Sequence, residues 1–580
     1  MLEFEPTDQQ KNILAWNGNA VIVAGPGSGK TWTLAKKVQD IMGKCRNYQG
    51  VAAISYTNKA SKELERRAKL LCNGTKQSFF GTIDSFCIAE IVLPFGKRIM
   101  GTPSVQVLVE NTQIPSQLEL IKSIKKAILT IIEKYSEHTL QQIYDQNISP
   151  YNELDLSYRV YLKERFLGGG FDLHLINEIA NLIIMSSKTC SNYLKAKYRY
   201  VLIDEFQDSG FLQYSLFKRF SELGINSWAV GDFNQSIYSF KSGSPEYMEA
   251  LISMESFQRF DMNINHRCHP YIQAYAELFL KIQNEEEICL IPEGNSRIIR
   301  VSLEGTQSVI GEWINVSLNK IIERTGFKKS LEIAVLARTN ESLEMISELL
   351  KVPHRIKYKL LLDDDRSIGG NLLRQLLTLT FNPKEHTTKD FVEYYFDTRI
   401  RGVRENISSV KKLISKFKDA CQDERKECKR VDSVINIVNQ IIRSIYPEYE
   451  LNKFTKEAIK QLVDNSILFE NFRPVKNDEI QLLTIHGSKG LEFDIVLHVD
   501  LYEDIFPNYL STGNAIKEQE DVNLHYIALT RAREYVYLIS TSIKRIYSKR
   551  YGRYYEHPKN PSPYIQGDIK RYQLLLQQAE

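Results

Sequence analysis

Short runs that are apolar almost throughout recur in the first half of the chain, at Ala20–Ala24, Val51–Ser55, Tyr200–Asp204 and Ser227–Asp232. They lack the alternation of a half-solvated strand, and so predict strands buried on both faces of a parallel sheet. A second set follows at Ile298–Val301, Ile333–Ala337, Glu479–Thr484, Ile495–Val499 and Tyr535–Ser540. Between these runs the pattern changes to helical spacing. Residues 91–195 read as helices with a break at Gly168-Gly169-Gly170, and residues 366–470 read as helical and charge-rich, as at Lys411–Lys429. The pattern predicts two α/β sheets, each interrupted by a helical insertion. After Ser540 a short basic, tyrosine-rich tail is expected.

Composition adds little to this picture but excludes several classes. The chain has 580 residues, 43% apolar and 25% charged, which is globular rather than disordered and too long for one domain. No apolar run has the length of a membrane span, and the amino terminus lacks a signal-peptide pattern, so a cytoplasmic location and no membrane partner are expected. The eight cysteines are scattered without a CxxC pair or other metal spacing, which reads as reduced, buried thiols. The net charge of +4 neither requires nor excludes nucleic acid, because a basic groove can be local.

The chemistry begins after the first run. Ala24 is followed by Gly25-Pro26-Gly27-Ser28-Gly29-Lys30-Thr31, which matches G-x-x-x-x-G-K-[ST], and by Trp32 and a helical pattern. Glycines at this spacing let backbone N–H groups wrap phosphates. The lysine neutralises the β/γ charge and the Thr31 hydroxyl is suited to Mg²⁺. The third run ends in Asp204-Glu205: Asp204 is the candidate second Mg²⁺ ligand and Glu205 the candidate base for the attacking water. The cofactors expected are therefore ATP and Mg²⁺.

Asp204-Glu205-Phe206-Gln207-Asp208 also begins a series of motifs in which the chain resembles superfamily 1 helicases of the UvrD/Rep/PcrA type. Thr7-Asp8-Gln9-Gln10 resembles the Q motif, implying that Gln10 reads the adenine edge. Ser55-Tyr56-Thr57-Asn58-Lys59-Ala60 and Gly81-Thr82-Ile83-Asp84-Ser85-Phe86 resemble DNA-contacting motifs. They imply contacts from Tyr56, Thr57, Asn58, Lys59, Thr82 and Asp84. Val230–Tyr238 resembles VGDxxQSIY, making Gln235 a γ-phosphate sensor, with Tyr238, Phe240 and Lys241 on the DNA. Asn265-His266-Arg267 resembles NYR, which puts His266 on the adenine and Arg267 on the γ-phosphate. Thr484–Phe493 resembles TxHxxKGLEF, implying Thr484 and His486 at the DNA and Glu492 near the ribose. Tyr526–Ala532 resembles the last motif, with Arg531 as a second arginine finger.

The resemblance implies two RecA-like parallel-sheet P-loop domains. The first is 1–90 with 196–262, interrupted by helices at 91–195. The second is 263–365 with 471–560, interrupted at 366–470, and 561–580 is the tail. It further implies a DNA-dependent ATPase moving 3′→5′ on single-stranded or tailed duplex DNA. A narrower resemblance, on Gly81–Phe95 and compact size, is to the helicase subunit of the Gabija anti-phage system, which implies an OLD-type nuclease subunit as partner. Departures from the family pattern are His266 for a tyrosine, Trp32 for an arginine and Asp521-Val522-Asn523-Leu524 for roughly ERRL. The second insertion is also short. Translocation is therefore the firmer expectation than processive unwinding, and a DNA-sensing ATPase that regulates a nuclease is the alternative.

Overall fold

The computed structural model describes residues 5–56, 58–72, 74–104, 107–110, 115–146, 149–237, 244–284, 286, 296–324, 332–365, 367–396, 403–422, 427–447, 449–548 and 551–576. Two parallel sheets dominate it. The first contains β1 (Ala20–Ala24), β2 (Gly50–Ile54), β3 (Phe79–Gly81), β6 (Tyr198–Ile203), β7 (Asn226–Gly231) and β8 (Gln258–Met262), in the order β3-β2-β6-β7-β1-β8. Two short strands, β4 (Leu108–Glu110) and β5 (Gly170–Asp172), pair with each other inside the first helical region. The second sheet contains β9 (Ile298–Leu303), β10 (Ile333–Ala337), β11 (His354–Ile356), β12 (Ile480–Thr484), β13 (Phe493–His498) and β14 (Ala532–Thr541). A hairpin of β15 (Ile543–Ser548) and β16 (Arg553–Pro558) follows, and β17 (Leu574–Leu576) then returns to pair with β9.

The apolar runs form these strands because both faces of each sheet are covered. One face of the first sheet packs Ile22, Ala53 and Val230 on Leu34 and Val38. The other packs Val21, Ile54 and Val201 into the core of the first insertion, with Phe86, Ile91, Ile128 and Ile183. That insertion thus shares its core with the sheet. The second insertion differs: Leu372, Leu376, Phe391, Phe417, Val438 and Ile459 form a core of its own.

Two differences from the sequence reading have local causes. Gly168 ends the helix Leu156–Leu167, Gly169 takes φ +80°, and the chain leaves as a strand that pairs with Leu108–Glu110. The 561–580 segment is not a plain tail, because Leu574–Leu576 forms the edge strand of the second sheet. Three leucines carry no signal of which sheet edge they will meet. Among the described residues no helix is long and apolar enough to cross a membrane.

Candidate active site between the two sheets

All six strands of the first sheet run parallel, so their carboxyl ends share one edge, where open α/β sheets bind ligands. Gly25–Gly29 leaves β1 there and enters helix α2 (Lys30–Lys44). Gly27 (φ +69°) and Gly29 (φ +84°) adopt left-handed backbone that disfavours other residues. A Cβ on Gly27 would lie 2.3 Å from Asn265 Oδ1. The loop is held from outside: His266 N–H donates to Gly27 O at 2.9 Å, and Gln10 Nε2 donates to Ser28 O at 3.1 Å. Gln10 Oε1 accepts from Thr7 N–H at 3.0 Å. Each end of the Gln10 amide thus makes one bond to protein, of the two it can make, and the side chain is buried. Lys30 Nζ donates to Ala24 O at 3.0 Å and stands 4.0 Å from Asp232 Oδ2. Thr31 and Trp32 lie in the first turn of α2, half-buried, and the ring of His266 is exposed beside the loop.

Two strand ends supply acids. Asp204 closes β6 and accepts Glu205 N–H at 3.0 Å. Glu205 sits at φ +57°, strained for a side chain of its size, and Gln207 Nε2 donates to its carboxylate at 2.7 Å. Gln207 Oε1 accepts Asp232 N–H at 3.0 Å, tying the ends of β6 and β7 together. Burial, and then Glu205 beside it, pushes the Asp204 carboxyl well up. Burial opposes ionisation of Glu205 as well, but Lys489 and Lys30 hold its carboxyl well below the usual range. Burial also raises Asp208 to about 6. A buried acidic cluster of this kind favours added cations. The oxygen donors Asp204 and Thr31 therefore suit a hard divalent ion such as Mg²⁺.

Three cations reach this cluster from beyond the first sheet. Arg531, 2% exposed, donates from Nη2 to Gln235 Oε1 at 2.8 Å and from Nη1 to Leu491 O at 3.2 Å. Burial, and then the charge of Arg267, lowers its pKa to about 10. Arg267 donates to Glu492 Oε1 at 2.7 Å and to Thr530 O at 3.3 Å. The Nε of each arginine is buried without a hydrogen-bond partner among the described residues. Lys489 Nζ, in the turn after β12, lies 2.5 Å from Asp208 Oδ2, 3.4 Å from Glu205 Oε2 and 3.2 Å from Gln235 O. Gln235 also donates to Asp232 at 2.7 Å. Glu492 is held by Arg267 and Arg533.

Lys30, Glu205, Gln235, Arg267 and Arg531 are therefore gathered in one place. Residues that single-site reasoning passed over join them: Lys489, Asp208, Gln207, Asp232 and Asn265. Asn523, in the segment that departs from the family pattern, donates across the cleft to Ser236 O at 2.8 Å, while its neighbour Asp521 pairs with Arg338 at 2.5 Å. The only signal for these was their place inside motif runs.

The candidate DNA contacts scatter along the carboxyl edges of both sheets. Tyr56 follows β2, half-buried. Thr82 caps a short helix by accepting Ser85 N–H, and Asp84 accepts from Asn177 Nδ2 at 2.9 Å in the first insertion. Thr484 ends β12 and accepts Gly487 N–H at 3.1 Å. Burial lowers the pKa of His486 to about 4. Thr57, Tyr238, Phe240 and Lys241 lie outside the described residues, as do the side chains of Asn58 and Lys59.

A phosphate chain on this loop would meet charges delivered by both sheets at once. That is the design of a two-sheet P-loop ATPase, in which nucleotide binding and sheet closure are one event. Comparison with known proteins narrows the class. The UvrD/REP helicase N-terminal domain matches residues 6–254, and the UvrD-like helicase C-terminal domain matches residues 374–543. The Gabija protein GajB of Bacillus cereus (strain VD045) is 24% identical over 572 residues, covering 94% of this chain and 97% of GajB. A probable DNA helicase II homolog of Rickettsia conorii is 24% identical, covering 93% of each chain. The ATP-dependent DNA helicase PcrA of Bacillus subtilis (strain 168) is 23% identical, covering 93% of this chain and 83% of PcrA. The chain belongs to the UvrD-type helicases, which are DNA-dependent ATPases.

Proposed function

We propose that this chain hydrolyses ATP to move 3′→5′ along single-stranded DNA and to part the strands of a tailed duplex, in DNA repair or anti-phage defence in the cytoplasm. One observation carries the reading. Arg531 donates to Gln235, burial and then the charge of Arg267 lower its pKa, and each of the two guanidinium groups has a buried, unpartnered N–H among the described residues. Like charges are held together at a cost, and the group that relieves it is an anion.

In this reading 1–90 with 196–262 holds the nucleotide on Gly25–Thr31, and 263–365 with 471–560 supplies the other half of the site. Glu205 takes a proton from the attacking water. Lys30, Arg267 and Arg531 meet the charge that grows on the γ-phosphate, and Gln235 registers its presence. Mg²⁺, held by Thr31 and Asp204, would further neutralise the phosphate oxygens. Arg267 must exchange Glu492 for phosphate, so closure follows nucleotide state and reopening follows hydrolysis. The polarity rests on the family resemblance.

Strand separation is supported by the β15–β16 hairpin. It leaves the same carboxyl edge as Thr484, since Ser542 N–H donates to Leu303 O and Ile543 N–H to Gly305 O. Residues 543–559 carry six basic side chains against one acidic, more net charge than the +4 of the whole chain. Tyr547, Tyr551 and Tyr554 are exposed, and Arg545 stacks 4.3 Å over the Tyr554 ring. Cations interleaved with exposed aromatics suit nucleic acid.

The second reading is a DNA-sensing ATPase that regulates an OLD-type nuclease with little unwinding. It is favoured by the match to GajB across 97% of that relative. A 3′-tailed duplex unwound in the presence of ATP, with a 5′-tailed duplex left intact, supports the motor. Failure on both, with a nuclease recovered in equal stoichiometry from the native source, supports the sensor.

A further inference from the structure

We propose that Asn523 is a positioning residue for ATP hydrolysis, fixing the backbone that presents Gln235, and resting on the reading that Gln235 meets the γ-phosphate. The Gln235 amide is held at both ends, accepting from Arg531 Nη2 at 2.8 Å and donating to Asp232 Oδ2 at 2.7 Å. Its backbone is held less well from its own side of the cleft. The Phe233–Gln235 turn ends at Ser236. Ser236 N–H donates to Phe233 O at 3.4 Å and its hydroxyl donates to Gln207 O at 3.4 Å, both long for hydrogen bonds. The bond from Asn523 Nδ2 to Ser236 O, at 2.8 Å and buried, is the shortest that Ser236 makes among the described residues.

Asn523 is itself fixed for this task. It is buried on the helix Ala515–Thr530. Gln519, one turn earlier, donates to its Oδ1 at 3.0 Å, which turns Nδ2 towards Ser236. Asp521 pins the same helix by accepting Asn508 N–H at 2.7 Å and pairing with Arg338 at 2.5 Å. Arg531 caps the helix about two turns beyond Asn523. One element thus sends a donor to the Gln235 side chain and another to the next peptide group, while Lys489 donates to the Gln235 carbonyl at 3.2 Å. Ile237 is buried with Ile485 and Leu524 in the core of the second sheet's body, which holds the segment from its far end. Without Asn523 the Ser236 carbonyl is left buried and unpaired, a cost relieved by shifting the peptide towards another donor. Such a shift carries Gln235 with it, and phosphoryl transfer is sensitive to placement.

The test measures steady-state ATP hydrolysis at saturating oligo-dT by the full-length wild type, Asn523→Leu, Gln235→Ala and the double variant, with equilibrium unfolding of each. Leucine keeps the branched shape of asparagine and removes the donor. Asn523→Leu is expected to lower kcat about tenfold while KM for ATP stays within about twofold, because the phosphate loop is untouched. In the Gln235→Ala background the same substitution costs nothing further, since its effect passes through Gln235. Asn523→Ala is read in the same way should the leucine variant fail to fold. An Asn523 variant with wild-type kcat, or one whose loss multiplies with that of Gln235→Ala, overturns the role of Asn523 alone. A Gln235→Ala variant with wild-type turnover overturns both this role and the reading that Gln235 meets the γ-phosphate.

Discussion

Replacing Arg531 with methionine separates a catalytic from a structural role for the buried guanidinium. The side chain makes two hydrogen bonds, at 2.8 and 3.2 Å, from a position 2% exposed to solvent. Each hydrogen bond to a buried charge is worth about 1.5–3 kcal/mol. Against that stand the cost of burying the charge and the repulsion of Arg267, which together lower the pKa of Arg531 to about 10. Methionine removes both sides of the balance while filling similar space, so the net loss of stability is expected to be about 2 kcal/mol or less. Catalysis has no such offset. A guanidinium on the transferring phosphoryl group is worth about 10³–10⁵ in turnover, or about 4–7 kcal/mol of barrier. The assay is steady-state ATP hydrolysis at saturating oligo-dT, alongside equilibrium unfolding of the same preparation. The expected result is a fall of about a thousandfold or more in kcat with little change in stability. A variant whose kcat stays within about tenfold of wild type, or whose loss follows unfolding, refutes the reasoning.

Further outcomes follow from the same geometry. Glu205→Gln should lower turnover by about 10²–10⁴ while ATP binding survives, so that ATP is trapped on the protein; near-normal turnover removes Glu205 from the role of base. Gly27→Ala places a Cβ 2.3 Å from Asn265 Oδ1 at φ +69° and should raise the KM for ATP; an unchanged KM contradicts the loop geometry. Acid stability tests the buried pair His498 and His525, whose rings meet at 3.0 Å among Phe279, Phe506 and Tyr564. Burial lowers the pKa of His498 to about 4 and that of His525 further still. Both are neutral when folded, whereas the unfolded chain takes up protons below about 6.5. The stability they contribute is full above that pH and is lost as pH falls towards 4, by about 3 kcal/mol for His498. Denaturant titrations between pH 7 and 4 should show this slope, and His498→Leu/His525→Leu should flatten it.

How much of this was legible in the sequence depended on whether the cause was local. The runs at Ala20–Ala24 and Ile333–Ala337 became central strands because burial on both faces leaves a continuous apolar signature. Gly25–Thr31 declares itself because backbone wrapping of phosphate demands glycines at fixed offsets. Lys489 was different. Its partners Asp208 and Glu205 lie more than 280 residues away, and no periodicity in either segment anticipates their meeting. Gln10 belongs to the same class. A Thr-x-x-Gln pair predicts a helix start, but nothing in it anticipates that the amide also reaches the Ser28 carbonyl of the glycine loop. The strands β4, β5 and β17 are three residues each, too short for a repeat to show, and exist only where a distant partner offers an edge.

In the proposed function, hydrolysis on Gly25–Thr31 is tied to DNA through charges supplied across the cleft. ATP turnover of the wild-type chain, measured with and without oligo-dT, tests it most directly. Single-stranded DNA is expected to raise turnover at least about tenfold, and Lys30→Ala to abolish it in both conditions. Equal turnover with and without DNA, from a protein that binds oligo-dT, would contradict it.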